Sequence, residues 1–295
     1  MEIVKSISDM QKIAKDNKLK GLKTALVPTM GYLHDGHLSL IRKGKELADI
    51  VITTLFVNPT QFGPNEDFDK YPRDYERDFK LCSENGSDYL FFPEVNEMYP
   101  IGFNSSIIIK GITEKFEGQF RPTHFSGVAT VVAKLFNSCS PDIAVFGQKD
   151  YQQTLLIKKL VKDLNFGIDI VVAPTVREKD GLAMSSRNTY LPPELRAKAG
   201  VIFYAMEQAK SAIAKGETDR KRLNSIMMVA LKTVAEIRID YAAAAIASNL
   251  EEPDIFLPGD EVVLLFAVQL GKTRLIDNSV VKIPYKLNEE NFIKS

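Results

Sequence analysis

Cysteine is scarce in this chain: Cys82 and Cys139 are the only two. Two isolated thiols build no disulfide framework and no Cys-x-x-Cys metal clip, so a reducing cytoplasm is the expected home. Charge of one sign is missing as well. Lys and Arg number 38, as do Asp and Glu, giving a formal net charge of zero. No global field therefore draws in nucleic acid or an anionic membrane, and neither is expected as a partner. No apolar run reaches the roughly 20 residues that span a bilayer, and Met1-Glu2-Ile3-Val4-Lys5-Ser6 lacks the apolar core of a signal peptide. Histidine is the third scarcity. There are three in 295 residues, and His34 and His37 stand three positions apart.

That clustering falls in Val27-Pro28-Thr29-Met30-Gly31-Tyr32-Leu33-His34-Asp35-Gly36-His37-Leu38. Residues 22–27 are apolar and β-branched enough for a buried strand, and Leu38, Leu40, Ile41 and Leu47 recur at helical spacing. The motif thus occupies a strand-to-helix turn, where backbone N–H groups and the positive end of a helix dipole meet an incoming anion. Gly31 and Gly36 permit close approach of that anion to the backbone, and the two imidazoles supply donors for phosphate oxygens. Zinc is the rival reading. It needs further ligands, and neither the isolated cysteines nor the spacing, which is not His-Glu-x-x-His, provides them. No resident metal is expected.

A hydrophobic content of 45% over this length supports a sizeable core and two domains or one large one. Strand-like runs at 50–57, 88–92, 142–146 and 168–172 alternate with helical patterns at 71–83, 127–137 and 151–164. The rhythm predicts an α/β fold, a doubly wound, parallel, Rossmann-like sheet with its ligand crevice at the strand C-terminal ends. A domain boundary is expected near Ala173-Pro174-Thr175, separating residues 1–175 from a smaller α+β domain at 176–284 and a poorly ordered tail at 285–295. In that second domain, helices are expected at 194–215 and 218–237, and strands at 240–246, 261–268 and 273–277. Ala242 to Ala245 would suit a helix in isolation.

Other clusters lie where the sheet would deliver them to the crevice. Asn58 and Gln61, in the turn-rich 56–64, carry amides able to donate and accept at once, which suits a hydroxylated or carboxylated small molecule; a plain loop tip is the alternative. Gly147-Gln148-Lys149-Asp150-Tyr151-Gln152-Gln153 follows another strand, with Lys149 able to reach phosphate and Asp150 a ribose hydroxyl, or else a solvated charge pair opening a helix. Met184-Ser185-Ser186-Arg187 offers two hydroxyls and a guanidinium suited to a triphosphate, or a polar linker. Arg121 and His124, in Arg121-Pro122-Thr123-His124-Phe125, are read as indirect, positioning or lining a substrate channel.

Together with Arg177-Glu178-Lys179-Asp180-Gly181-Leu182-Ala183 and Gly271-Lys272-Thr273-Arg274-Leu275-Ile276-Asp277-Asn278, these motifs, in this order, closely resemble the pantothenate synthetase (pantoate–β-alanine ligase) family. His-x-Gly-His alone marks a wider superfamily of nucleotidyltransferases and class I aminoacyl-tRNA synthetases. The resemblance implies ATP-dependent condensation of pantoate with β-alanine through a pantoyl adenylate, with Mg²⁺ on the distal phosphates. It implies that His37, His34, Lys149 and Arg187 are catalytic. Met30, Gly31, His34, Gly36, His37, Gly147, Gln148, Lys149, Asp150, Val176, Met184, Ser185, Ser186 and Arg187 would line the ATP site. Gln61, Gln153 and, less directly, Asn58 would bind pantoate, with Gln61 also facing β-alanine. A homodimer is implied too. The alanine-rich stretch 242–245 departs from relatives, which tend to carry an acidic residue near its end.

Overall fold

A computed structural model describes residues 1–64 and 66–285, so all of the tail expected at 285–295 except Tyr285 lies outside the described residues. The chain forms two compact units. One comprises Met1–Arg177 with Met184–Ser186, and the other Glu178–Ala183 with Arg187 onward. The boundary is interleaved rather than a single cut, because the Met184 N–H donates to the Val176 carbonyl at 3.0 Å and returns 184–186 to the first unit.

In the first unit the order is β1 (Glu2–Val4), α1 (Ile7–Leu19), β2 (Thr24–Thr29), α2 (Asp35–Leu47), β3 (Ile50–Leu55), α3 (Tyr75–Glu84), β4 (Tyr89–Phe91), α4 (Val95–Met98), α5 (Glu117–Phe120), α6 (His124–Cys139), β5 (Ile143–Gly147), α7 (Tyr151–Asp163) and β6 (Asp169–Ala173). The strands make one sheet in the order β1-β4-β3-β2-β5-β6, with every pairing parallel. Alternate residues bury opposite faces. Leu26, Ile52 and Ala144 join Met10, Val128 and Leu156 on one side, while Ala25, Val51 and Val145 join Leu38, Ile41 and Cys82 on the other. Both faces being covered explains why these strands lack polar alternation. The short edge strand β1 was not anticipated. Its three residues give too little pattern, and its pairing with β4 is long-range.

Strand order reverses at β2, which has β3 on one side and β5 on the other, so the crevice opens between β2 and β5. Pairing of β2 with β5 ends at Leu26, whereas pairing with β3 runs on to Thr29. The Thr29 carbonyl accepts from the Phe56 N–H on the β3 side, so the backbone of Pro28 faces the β5 side, where the ladder has already opened. A residue without an N–H is tolerated there.

In the second unit come α8 (Pro193–Arg196), α9 (Val201–Ala214), α10 (Arg220–Leu231), β7 (Ile237–Ile246), β8 (Glu261–Leu270) and β9 (Thr273–Lys282), the strands forming an antiparallel sheet in chain order. Ile202, Met206, Leu223 and Met227 pack on Ala242, Ala244, Leu264 and Phe266. The alanine run is therefore strand, since pairing with the bulky apolar residues of β8 outweighs its helix propensity. The Ala244 N–H on this edge strand donates to Asn224 Oδ1 at 2.8 Å, which gives the edge donor a partner on α10. A single helix over 194–215 is not found. Successive i+3 bonds, Lys198 N to Leu195 O through Ile202 N to Ala199 O, break it, and Arg196 turns its guanidinium to Glu178 and Asp180. Among the described residues, no helix is long and apolar enough to cross a membrane.

Candidate active site

The chain leaves β2 through two consecutive left-handed residues, Gly31 at φ +91° and Tyr32 at φ +51°. Successive N–H groups in such a turn converge on one side and form an anion-binding concavity. Here the anion is a side chain. Asp78 of α3, fully buried, accepts the Tyr32 N–H at 2.6 Å and the Leu33 N–H at 2.8 Å. Desolvation raises its pKa, and those two N–H donors, with nearby Arg77, pull it back. Gly31 is required sterically as well as conformationally: a Cβ would stand 3.1 Å from Asp78 Oδ2. Sequence reading missed Asp78. Its signal is an acid four residues before Cys82 on the buried face of an amphipathic helix.

Held this way, the turn delivers His34 to the N-cap of α2. The Gly36 N–H donates to His34 Nδ1 at 3.2 Å, and the His34 N–H donates to His37 Nδ1 at 3.3 Å, a reciprocal cap made by two imidazoles. Because each Nδ1 accepts, the neutral rings carry their protons on Nε2. The ring centroids are 4.0 Å apart. Burial, then the electrostatic cost of adding a charge beside His34 and Lys149, push protonation of His37 well below the ordinary histidine range, although the ring keeps some solvent exposure. At neutral pH His37 is thus an uncharged Nε2–H donor beside a helix N-terminus and a lysine.

Lys149 and Asp150 follow β5 directly, with Nζ and carboxylate 3.7 Å apart, and Gly147 and Gln148 precede them at the same strand end. The segment 184–186 reaches the motif from the other direction. Ser186 Oγ donates to the Tyr32 carbonyl at 3.1 Å, and Met184 Cβ lies 3.9 Å from the point where a Cβ on Gly36 would sit. Val176 is tied to Met184 through its carbonyl. Thus Met30, Gly31, His34, Gly36, His37, Lys149, Val176, Met184, Ser185 and Ser186 belong to the first unit, and Arg187 belongs to the second. Among the described residues, no group of three or more His, Cys, Asp or Glu could hold a metal ion.

The end of β3 supplies the amides. Gln61 is buried in a 3-10 turn, Pro59–Gln61, and its Nε2 donates to Met30 Sδ at 3.0 Å. Asn58 has its polar atoms fully engaged: Nδ2 donates to Gln61 Oε1 and to the Gly127 carbonyl, both at 3.2 Å, while Oδ1 accepts from Thr60 and from the Tyr99 hydroxyl. It therefore orients Gln61. Gly127 lets α6 come this close, since a Cβ there would fall 2.3 Å from the Thr60 carbonyl oxygen. On α7, Gln152 is locked to the carbonyls of Ile112 and Lys115 and to the Glu117 N–H, whereas Gln153 is half-buried. His124 is buried, and desolvation followed by Arg121 pushes its pKa down to about 4.

Two outcomes follow from this geometry. Asp78→Asn keeps an acceptor for one backbone N–H but turns an NH2 toward the other, leaving one donor facing a donor, so it should cost about 1–3 kcal/mol in urea unfolding. The same variant should raise the KM for nucleotide at least about tenfold; an unchanged nucleotide KM would mean that the turn holds without the carboxylate. For His124, the unfolded ring protonates below about 6.5 while the folded ring stays neutral down to about 4. The unfolded state then binds more protons, so stability falls as pH drops through that window and this contribution levels off below it. Relative to His124→Asn, the unmodified chain should lose about 3 kcal/mol between pH 7 and pH 4, read from urea midpoints.

The family model described as pantoate-beta-alanine ligase matches residues 2–280. A pantothenate synthetase of Acetivibrio thermocellus is 48% identical over 283 residues, covering 96% of this chain and 100% of that protein. One from Caldicellulosiruptor bescii is 50% identical over 282 residues, covering 96% and 99%. The crystal structure of pantothenate synthetase from Thermus thermophilus superposes with a TM-score of 0.89 at 41% identity, covering 97% of this chain and 100% of that one. A pantoate-beta-alanine ligase from Francisella tularensis, complexed with β-γ ATP and β-alanine, gives a TM-score of 0.78 at 35% identity, covering 95% and 97%. With a near-complete match to the family model and to its relatives in sequence and structure, this chain belongs to the pantoate–β-alanine ligase family.

Proposed function

We propose that the chain joins pantoate to β-alanine in two steps at the crevice between β2 and β5, using ATP as its Mg²⁺ complex. In the first, a pantoate carboxylate oxygen attacks the α-phosphorus, the α–β phosphoanhydride bond breaks, and pyrophosphate leaves. Negative charge grows on the phosphate oxygens as this happens, and fixed donors aimed at growing charge are the main catalytic resource. His37 Nε2–H is such a donor. Its neutrality matters, because a ring whose protonation lies well below the ordinary histidine range keeps one protonation state, with a single proton on Nε2, throughout the neutral pH range. Lys149, Ser185 and Ser186 add charge and hydroxyl donors, His34 caps the helix beneath them, and Arg187 is assigned to the triphosphate by its position in the family motif. Met30, Gly31, Gly36, Gly147, Gln148, Asp150, Val176 and Met184 complete the nucleotide site, Val176 through its backbone.

Gln61 and Gln153 hold pantoate, Gln61 faces β-alanine as well, and Asn58 acts through Gln61. In the second step the amine nitrogen attacks the acyl carbon, the bond from that carbon to the AMP oxygen breaks, and the nitrogen loses a proton as AMP departs. An adenylate is already activated. Holding the amine against it supplies most of what the step needs, an effect that reaches about 7–11 kcal/mol in the best intramolecular cases. Assembly as a homodimer belongs to the same proposal and is read by sedimentation.

The observation that carries this reading is the pair of accepting Nδ1 atoms, which turns both imidazoles into Nε2–H donors at the opening of α2. Pyrophosphate release with ATP and Mg²⁺ should show a pantoate-dependent burst that becomes steady turnover once β-alanine is added. His37→Ala should slow the burst about a hundredfold or more. Absence of pantoate-dependent release from folded protein that binds ATP would overturn the ligase chemistry, and a normal burst in His37→Ala would remove His37 from it.

A further inference from the structure

Behind Gln61 lies a chain of three charged or titratable side chains that the two-step chemistry does not use. Arg121 follows α5, and its Nε donates to Glu66 Oε1 at 2.8 Å while its Nη2 donates to Glu66 Oε2 at 2.5 Å. The same Nη2 reaches the Gln61 carbonyl at 3.3 Å. His124, opening α6, contacts that carbonyl through Nδ1 at 3.0 Å, and Arg121 Nη1 stands 3.3 Å from His124 Nε2.

These contacts have one consistent proton arrangement. A carbonyl oxygen can only accept, so His124 Nδ1 carries the proton; a guanidinium can only donate, so His124 Nε2 offers its lone pair. The ring must therefore be neutral, in agreement with its depressed basicity. Its tautomer is opposite to that of His34 and His37. The Gln61 carbonyl thus receives two directed donors, its Oε1 is held by Asn58, and its Nε2 is turned to Met30 of the nucleotide motif. A half-buried ion pair and a buried imidazole are poor choices for stability alone, where apolar packing of the same volume serves as well or better. They are good choices for fixing one amide in one orientation.

We propose that Glu66, Arg121 and His124 are positioning residues that set the pantoate affinity through Gln61. The inference rests on the reading that Gln61 binds pantoate. Glu66 aligns the Arg121 fork, Arg121 fixes the His124 tautomer, and the two donors together hold the Gln61 backbone.

Pantoate and ATP KM values are measured by pyrophosphate release, alone and in a Gln61→Ala background. Arg121→Leu and His124→Leu should each raise the pantoate KM about tenfold, with the ATP KM held within about twofold. His124→Asn, whose Nδ2 donates from the position of Nδ1, should recover most of the loss. In the Gln61→Ala background the same substitutions should change the pantoate KM less than about twofold, because the residue they act through is already gone. Arg121→Lys, which keeps the charge but cannot bridge, replaces Arg121→Leu if the latter does not fold. The proposal is overturned if the pantoate KM is unmoved while Gln61→Ala raises it, or if the penalties multiply in the Gln61→Ala background. If Gln61→Ala itself leaves the pantoate KM unchanged, the underlying assignment of Gln61 fails, and this inference with it.

Discussion

The interaction on which the site depends is a carboxylate inside the protein accepting two backbone N–H groups. Asp78 fills the concavity made by Gly31 and Tyr32, and without it two donors at a left-handed turn would be buried unsatisfied. The turn decides where the chain re-enters regular structure. A helix that began elsewhere would not bring His34 to its N-cap or His37 to its first turn. The sheet edge, the helix dipole and the imidazole donors are thus set by one buried contact between α3 and the loop after β2.

A second consequence concerns the division of labour among histidines. All three rings are fixed by what their nitrogens meet. Backbone N–H groups occupy Nδ1 of His34 and His37 and leave Nε2 as the donor, while the Gln61 carbonyl claims the proton of His124 at Nδ1. The first pair turns its acceptors to the helix cap. The third ring is oriented for a protein carbonyl, with its other nitrogen turned to Arg121. The same residue type serves opposite ends of hydrogen bonds, and the neighbouring backbone sets which.

Much of this was legible in the sequence. Strands β2, β3, β4, β5 and β6 lie within two residues of their expected bounds, because two-sided burial makes them near-continuous apolar runs. The turns at the strand ends were legible because Gly, Pro, Asn and Asp cluster there and interrupt the apolar runs. What escaped was non-local. Asp78 lies forty-odd residues from the N–H groups it accepts, and Glu66 lies 55 residues from Arg121. Neither distance leaves a local periodicity. The engagement of Asn58 escaped for another reason: an amide that binds substrate and one that orients its neighbour are identical in sequence. The boundary at 177–187 escaped because non-local hydrogen bonds, Met184 N–H to the Val176 carbonyl and Ser186 Oγ to the Tyr32 carbonyl, fold a short segment back across it.

The central claim is that His37 is a neutral ring with its proton on Nε2, and with three histidines in the chain it can be observed directly. In protein labelled with ¹⁵N-histidine, long-range proton–nitrogen NMR correlations should give His37 an unprotonated Nδ1 and a protonated Nε2 at pH 7. That pattern should persist as the pH is lowered below the ordinary histidine value of 6.5. A proton on Nδ1 at pH 7, or a doubly protonated ring at 6.5, would contradict the account.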